Sequence, residues 1–417
     1  MKFFYTFILL TALLTMTIFS QNTGARKKSK VYRLAEGIEA LFSHDELSFI
    51  DKSLLRKALD KSGDNRNELV KAIKTAPSTE EQQGLIFLIS FMPERDLRSL
   101  SAKFLLENVK FAYKARAEFV WAKELPLKIF LNDVLPYANL SERRDNWRAG
   151  FYSRFKKKVK AARTVEEAIK LINKDLEKEL GVKYSTKRKK PDQSPYESME
   201  LGLASCSGLS ILLADAFRSV GIPARIAGTP SWTTVPGNHN WVEVYVDKQW
   251  KFTEYYPDKE LNRSWFLERA AKADGSRWQN KIYASSFVPT ESHFPMVWDL
   301  TSRDVHGVDV TQKYRQLYAD QNKAVRGKEL QAEVAVLAYD KEGKRIAVEF
   351  TVKDKNGDKI ASAKSRSAVD DMNNMLIFKF QKSSEYTLEY KNHEGKTLVV
   401  KLKTGDGKKL QKIKLRL

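Results

Sequence analysis

Two stretches of the 417-residue sequence decide its fold, SCSGLSILLADAFRSVGIPARI at 205–226 and GNHNWVEVYVDKQWKFTEYYP at 237–257. In the first stretch, apolar residues recur at the spacing of one face of a helix. Gly221 and Pro223 then stop that helix, because glycine commonly ends helices and proline cannot continue them. The first stretch therefore predicts a helix that leads directly into the short strand ARIAGT (224–229).

The second stretch has the two-residue period of a β-hairpin. In HNWVEVYV (239–246), the valines point to one side of the strand, and His239 is the first of the residues that point to the other. A tight turn at Asp247–Lys248 leads to a second strand, QWKFTEYY (249–256). The order helix, strand, hairpin predicts a fold of the α+β class.

Cys206 is the single cysteine of the sequence, and it lies in the first turn of the predicted helix. A thiol acts as a nucleophile only as the thiolate, which the positive end of a helix dipole and a nearby histidine both favour. His239 opens the strand that returns to the same domain. A histidine base works better when an acid holds its ring, and Glu254 on the next strand could lie beside it. These residues predict a thiol–imidazole–carboxylate site.

Other interpretations of these residues have less support. Asp258 is the alternative to Glu254, since the turn after the second strand is loosely defined. We expect no metal and no cofactor, because one cysteine and His239 lack the paired spacing of a structural zinc site. The sequence has no G-x-S-x-G motif for a serine nucleophile. A buried and inert Cys206 is the plainest competing interpretation.

From Tyr196 to Pro257 the chain resembles the core of the transglutaminase-like superfamily. The resemblance rests on the cysteine that starts a helix ending in G-I-P-A-R, and on the histidine that precedes W-V-E-V. It implies a papain-like α+β core in which Cys206 is the nucleophile and His239 is the general base and acid. Glu254 matches the orienting acid, although that residue is usually an aspartate in the family.

The resemblance also implies thiol-dependent acyl transfer on amide bonds. Water as the acceptor gives a peptidase or amidase, whereas an amine gives a protein-crosslinking transglutaminase. We expect hydrolysis of a protein, peptide or cell-envelope glycopeptide, because nothing in the sequence marks an acceptor site. Gln193 and the indole of Trp241 are candidate oxyanion donors beside the backbone amide of Cys206. The alternative from another class is a non-catalytic envelope protein that binds glycan or peptide.

Outside this core the sequence predicts three further segments. Residues 1–20 are a short basic start and an apolar run, typical of a signal peptide and hence of export to the periplasm, the cell envelope or the medium. A retained membrane anchor is the alternative. Residues 21–150 have helical periodicity and precede a catalytic domain at 151–315. Short strands separated by turn clusters at 325–417 predict a β-sandwich.

Composition narrows the classes of partner. With 42% hydrophobic and 30% charged residues, the chain has a globular composition. Its net charge of +21 is spread along the chain and mixed with acids, and the clusters at 156–158 and 187–190 lie in no recognisable nucleic-acid-binding motif. We therefore expect no nucleic-acid partner. We also expect no membrane span after signal cleavage, because no later run is apolar enough.

Overall fold

Helices fill the chain from residue 52 to residue 158. The computed structural model describes residues 51–322, 331–407 and 409–417, so the signal peptide predicted at 1–20 lies outside the described residues. Polar side chains cap several helix starts; Ser78, for example, accepts a hydrogen bond from the backbone N–H of Glu81. The helices are α1 (Lys52–Lys61), α2 (Arg66–Thr75), α3 (Thr79–Phe91), α4 (Glu94–Leu97), α5 (Ala102–Glu118), α6 (Val120–Lys123), α7 (Leu127–Asp133) and α8 (Arg148–Lys158). Apolar side chains of α1–α5 and α7 share one buried core, whereas those of α6 and α8 pack into the core of the next segment.

The next segment alternates helices with short strands. It contains α9 (Val165–Leu180), β1 (Lys183–Tyr184), α10 (Pro195–Leu201), β2 (Leu203–Ala204), α11 (Cys206–Ser219), β3 (Ala224–Thr229), β4 (His239–Val246), β5 (Gln249–Thr253), α12 (Leu267–Ala271), β6 (Tyr283–Ser286), β7 (Ser292–His293), β8 (His306–Asp309) and α13 (Thr311–Gln321). Thr164 caps α9 by accepting from the N–H of Glu167, and Gly181 ends α9 in the left-handed conformation, both as the sequence predicts. The mixture of helices and strands confirms the α+β class.

A six-stranded sheet in the order β5-β4-β3-β6-β8-β7 organises this segment. The hairpin β4–β5 turns at Asp247 and Lys248, which both have positive φ, as a tight two-residue hairpin turn requires. The valines of β4 pack against α11 on one face of the sheet. Trp241 packs on the other face with Phe266 and Tyr314. Because both faces are covered, the strand that bears His239 is fixed in position.

The chain after residue 330 folds into two further sheets. Its strands are β9 (Gln331–Tyr339), β10 (Glu349–Lys353), β11 (Lys359–Lys364), β12 (Leu376–Gln381), β13 (Glu385–Lys391), β14 (Thr397–Lys403) and β15 (Gln411–Arg416). One sheet has the order β11-β10-β13-β14 and the other β12-β9-β15. Side chains from both sheets share one apolar core, as in a sandwich. We call this unit the β-domain.

Two strands of the β-domain, β11 and β15, have few large apolar residues. Both are edge strands; β11 (KIASAK) has one such residue, Ile360, which is exposed, and β15 (QKIKLR) has two, Ile413 and Leu415. Polar edges of this kind reduce unwanted pairing with other chains, and they also weaken the sequence signal of a strand. Within the ranges that the structure describes, no helix combines the length and the apolar character needed to cross a membrane.

Candidate active site

Cys206 is the first residue of α11. Ser205 precedes it in an extended conformation and caps the helix, with its Oγ accepting from the N–H of Gly208 at 3.1 Å. The amides of the first helical turn have no acceptor within the helix, so the N–H of Cys206 is a potential donor to a bound oxyanion. A Cβ atom on Gly208 would lie 3.0 Å from the Cβ of Ala204, so this turn requires a small residue. Cys206 itself is half-buried, which leaves its thiol accessible to a small substrate group.

His239 is the first residue of β4 and is only 3% exposed. Its ring lies against Trp265 and Phe266, with centroid separations of 5.0 and 5.3 Å. The next residue, Asn240, points to the other face of the strand, where its Nδ2 donates to the Oγ of Ser207 at 2.8 Å. This bond ties the strand that bears the histidine to the helix that bears the cysteine.

Glu254 follows β5 directly and is also buried. Its Oε2 lies 3.2 Å from Nε2 of His239, and its Oε1 accepts a hydrogen bond from the hydroxyl of Ser264. The alternative acid, Asp258, is exposed, and its carboxylate accepts from the backbone N–H of Lys259. We call the part of the chain from α9 to α13 the catalytic segment, after the role that the resemblance implies. Glu254 is the acid of this segment that the structure places beside the imidazole.

A second acid reaches the same ring from the β-domain. Asp371 lies in the segment between β11 and β12, and its Oδ2 is 3.5 Å from Nδ1 of His239. Its other oxygen accepts from the backbone N–H of Asn373 at 2.8 Å, and its backbone carbonyl accepts from Arg345. Sequence reasoning missed Asp371, because nothing in the surrounding residues marks it as part of a site in another domain.

The structure thus brings a cysteine, a histidine and an aspartate together. One donor atom from each of Cys206, His239 and Asp371 lies within 4.8 Å of the other two. The three side chains line a small pocket of about 270 Å³. The other residues that line it are Tyr184, Leu209, Ser210, Asn240, Glu254, Tyr255 and Tyr256. The thiol and the imidazole share this pocket, as the resemblance implied.

Charges in this pocket favour the protonated form of the imidazole. Burial by itself lowers the pKa of His239, but the charge of Asp371, whose Oδ2 is 3.5 Å from Nδ1, and the neighbouring Cys206 and Glu254 outweigh it and hold that pKa well above its usual value. Burial raises the pKa of Asp371, yet the charge of His239 and the bonds from Asn373 hold it below its usual value. The raised pKa of His239 favours an imidazolium ion, which has a proton to donate.

The two side chains predicted as oxyanion donors already have partners. The amide nitrogen of Gln193 donates to the backbone carbonyl of Leu203 at 2.9 Å, and its oxygen accepts from the N–H of Lys189. The indole N–H of Trp241 donates to the hydroxyl of Tyr314 at 2.6 Å. Because buried donors are rarely left unpaired, the folded chain gives both of these side chains hydrogen-bond partners that the sequence alone does not show. The backbone N–H of Cys206 is the predicted donor that lies at the nucleophile itself.

Residues 153–254 match the sequence model of the Transglutaminase-like superfamily. No curated protein matches the chain. A solved structure from Cytophaga hutchinsonii, described provisionally as a cysteine protease, is 16% identical over 26% of this chain and 37% of its own, with a TM-score of 0.24. BcpA, the major pilin subunit of Bacillus cereus, is 11% identical over 42% of this chain and 37% of its own, with a TM-score of 0.16. The chain spans well under half the length of either protein. TM-scores of 0.24 and 0.16 do not establish a shared fold.

Proposed function

We propose, on the premise that residues 153–254 form a transglutaminase-like domain, that this chain is a cysteine-dependent enzyme that hydrolyses amide bonds in peptides or proteins. The observation that carries the proposal is the pocket in which the thiol of Cys206 meets the imidazole of His239. A buried carboxylate, Glu254, holds the far side of that imidazole. A thiol beside an imidazole that an acid orients is the arrangement of enzymes with an activated cysteine nucleophile.

The chemistry follows from the positions of these groups. The Cys206 thiolate attacks the carbonyl carbon of the amide, and the negative charge that moves to the oxygen meets the backbone N–H of Cys206. When the C–N bond breaks, the imidazolium of His239 donates its proton to the departing amine, which leaves a thioester. His239 then takes a proton from water, whose oxygen attacks the thioester. The acid product leaves, and Cys206 and His239 return to their initial state.

Aminolysis by a lysine side chain is the alternative fate of the thioester, and would make the protein a crosslinking transglutaminase. Hydrolysis is favoured because the pocket is small, and a water molecule needs less room there than a lysine side chain of a second protein. The signal-like first twenty residues support export and hence an envelope or extracellular substrate, such as a peptide or a glycopeptide. Cell fractionation with an antibody tests that location.

Alkylation of Cys206 tests the thiol–imidazole pair without knowledge of the substrate. Because the chain has one cysteine, all labelling by iodoacetamide reports on that residue. A free cysteine is less than about 1% thiolate near pH 6, so His239→Ala should slow labelling on the order of 100-fold. His293→Ala is a matched control, since His293 stacks on His306 rather than on the site. Equal labelling rates in the parent and His239→Ala would refute the pair.

A peptide library combined with a labelled primary amine distinguishes the reactions. We expect cleaved peptides with little amine incorporation, and neither product from Cys206→Ala. Incorporation that exceeds cleavage would identify a crosslinking transglutaminase. Absence of both products, with slow alkylation in the parent, would favour the non-catalytic binding protein.

A further inference from the structure

The pocket contains three atoms of the types that bind zinc. A thiolate sulfur, an imidazole nitrogen and a carboxylate oxygen are all ligands of this ion. In a tetrahedral zinc site such atoms lie about 3.3–3.7 Å from one another. Nδ1 of His239 and Oδ2 of Asp371 are already 3.5 Å apart, and the longest separation in the set does not exceed 4.8 Å. Side-chain rotations that move the sulfur by about 1 Å complete the geometry.

Two of these atoms are buried without a hydrogen-bond partner. Nδ1 of His239 and Oδ2 of Asp371 form no hydrogen bond of ordinary geometry with any residue that the structure describes, and the two side chains are only 3% and 7% exposed. The two atoms face each other as an ion pair, but their separation of 3.5 Å is too long for an ordinary buried hydrogen bond. A zinc ion that replaces the proton between them would coordinate both atoms.

The second polar atom of each side chain, Nε2 of His239 and Oδ1 of Asp371, has a hydrogen-bond partner of the kind found in metal sites. Metal-binding histidines usually give their second ring N–H to a carboxylate, which fixes the ring. Nε2 of His239 has such a partner, Oε2 of Glu254 at 3.2 Å. The outer oxygen of Asp371 accepts from the backbone N–H of Asn373. His239 and Asp371 therefore each have one atom that is hydrogen-bonded to the protein and one atom without a hydrogen bond that faces the other side chain.

We propose that Cys206, His239 and Asp371 form a three-ligand site for zinc, with the fourth position open to water. The soft thiolate and the imidazole select zinc over calcium or magnesium, which prefer oxygen ligands. Zinc at this position occupies the sulfur and the nitrogen of the thiol–imidazole pair and links the β-domain to the catalytic segment. The site stands on geometry alone; its consequence, reversible loss of amide hydrolysis, rests on the proposed function. Paired sequence spacing could not indicate it, because the third ligand belongs to the β-domain.

Cobalt titration of the full-length, chelator-treated protein tests the site. Cobalt(II) replaces zinc in such sites and gives a thiolate-to-cobalt charge-transfer band in the near ultraviolet. We expect one cobalt ion per chain, displaced by one equivalent of zinc, and we expect zinc to protect Cys206 from iodoacetamide. Absence of the band in the parent, or labelling that zinc does not slow, overturns the proposal.

Variants at two neighbouring aspartates identify the ligand. Asp371→Asn should weaken cobalt binding by more than the roughly 10–100-fold typical of losing a group that only orients a ligand. Asp370→Asn is the matched control, because the Asp370 carboxylate accepts from Ser367 within its own loop. Asp371→His restores a ligand and should bind cobalt again. Equal cobalt affinity in Asp371→Asn and Asp370→Asn would overturn the assignment of Asp371.

These readouts separate the metal site from the enzymatic proposal. A parent protein that binds cobalt but cleaves no peptide retains the metal site and refutes the proposed function. A parent that cleaves peptides equally well with and without zinc, and shows no charge-transfer band, retains the proposed function and refutes the metal site. If Asp371→Asn does not fold, the cobalt band of the parent and the protection of its Cys206 by zinc still decide whether the site exists.

Discussion

At the scale of single residues, His239 lies between two buried carboxylates that contact different ring nitrogens. Glu254 is at Nε2 and Asp371 is at Nδ1. In a thiol–imidazole pair one nitrogen exchanges a proton with the sulfur and the other is held by an acid. Since Glu254 lies at Nε2, Cys206 and Asp371 share the Nδ1 side of the ring. We propose that Glu254 is the acid that orients the ring.

We expect Glu254→Gln to lower the rate of peptide hydrolysis on the order of 10²–10⁴-fold, the range that positioned proton-transfer groups contribute. A glutamine amide can donate to Nε2 and so place the ring proton on the wrong nitrogen. The measurement is the turnover rate across a pH series. Glu260→Gln is the control, because the Glu260 carboxylate is exposed and pairs with Arg263. Full activity in Glu254→Gln would show that a group other than Glu254 orients the ring.

A carboxyl group far from the chemistry affects stability instead. Burial raises the pKa of Asp133, at the end of α7, to about 6, although the nearby arginines Arg225 and Arg218 oppose this shift. The folded chain therefore keeps this proton at pH values where the unfolded chain has lost it. Stability falls as pH rises from the unfolded pKa through about 6, because the unfolded state then binds fewer protons.

Asp133→Asn removes this titration while preserving shape. We expect the variant to match the parent near pH 4 and to exceed its unfolding free energy by about 2–3 kcal/mol at pH 7.5. Urea denaturation at several pH values measures the difference. Asp64→Asn, a change at an exposed aspartate, should follow the parent throughout. A constant difference between Asp133→Asn and the parent at every pH would contradict the shift.

At the scale of elements, the contact between α11 and β4 sets the separation of thiol and imidazole. The bond from Asn240 to Ser207 lies at the ends of both elements, one residue from each catalytic side chain. Gly228 on β3 leaves room for Asn240, since a Cβ atom there would lie 1.9 Å from the Asn240 Oδ1. The separation of the thiol and the imidazole therefore depends on Asn240, Ser207 and Gly228, which the sequence alone does not mark as part of a site.

A double-mutant cycle measures this contact. Asn240→Ala and Ser207→Ala should each reduce the unfolding free energy, and the double variant should lose less than their sum, with a coupling of about 1 kcal/mol. Chemical denaturation provides the energies. Iodoacetamide labelling of the same variants reports whether the thiol and imidazole remain paired. Strictly additive losses would show that the bond contributes nothing in solution.

At the scale of the whole molecule, the β-domain completes the pocket. Arg269 of the catalytic segment donates to the backbone carbonyl of Asn373 at 2.6 Å, and the amide of Asn373 donates back to the carbonyl of Asn238. Ion pairs at the surface, such as Lys379 with Glu268, add a second contact. The segment that bears Asp371 is therefore attached to the residue beside His239.

Arg269→Ala should weaken the attachment of the β-domain. Its loss removes a hydrogen bond from a charged donor to the Asn373 carbonyl, which keeps only the N–H of Met375 as a partner, so we expect a cost of about 1–3 kcal/mol and separate unfolding transitions for the two units. Lys379→Ala should cost at most about 1 kcal/mol, because its ion pair is largely exposed. Differential scanning calorimetry shows both effects. Identical melting profiles for the two variants would mean that the buried contact does not couple the units.

The sequence by itself determined the local elements of the site. Helical spacing before Gly221 and strict alternation in 239–246 specify α11 and β4 as the structure has them. Cys206 and His239 lie at the ends of those elements, so local pattern also indicated the reactive pair. These features are legible because residues close in the chain generate them.

Only the tertiary structure decided how each polar group is paired. It placed Asp371 beside His239, paired the Trp241 indole with Tyr314, and paired the Gln193 side-chain amide with the carbonyl of Leu203. Such pairings join residues distant in sequence, and their energy is realised only when the packed elements exclude water. No local periodicity records them, since an aspartate in a polar loop has the same sequence context whether or not it reaches an imidazole.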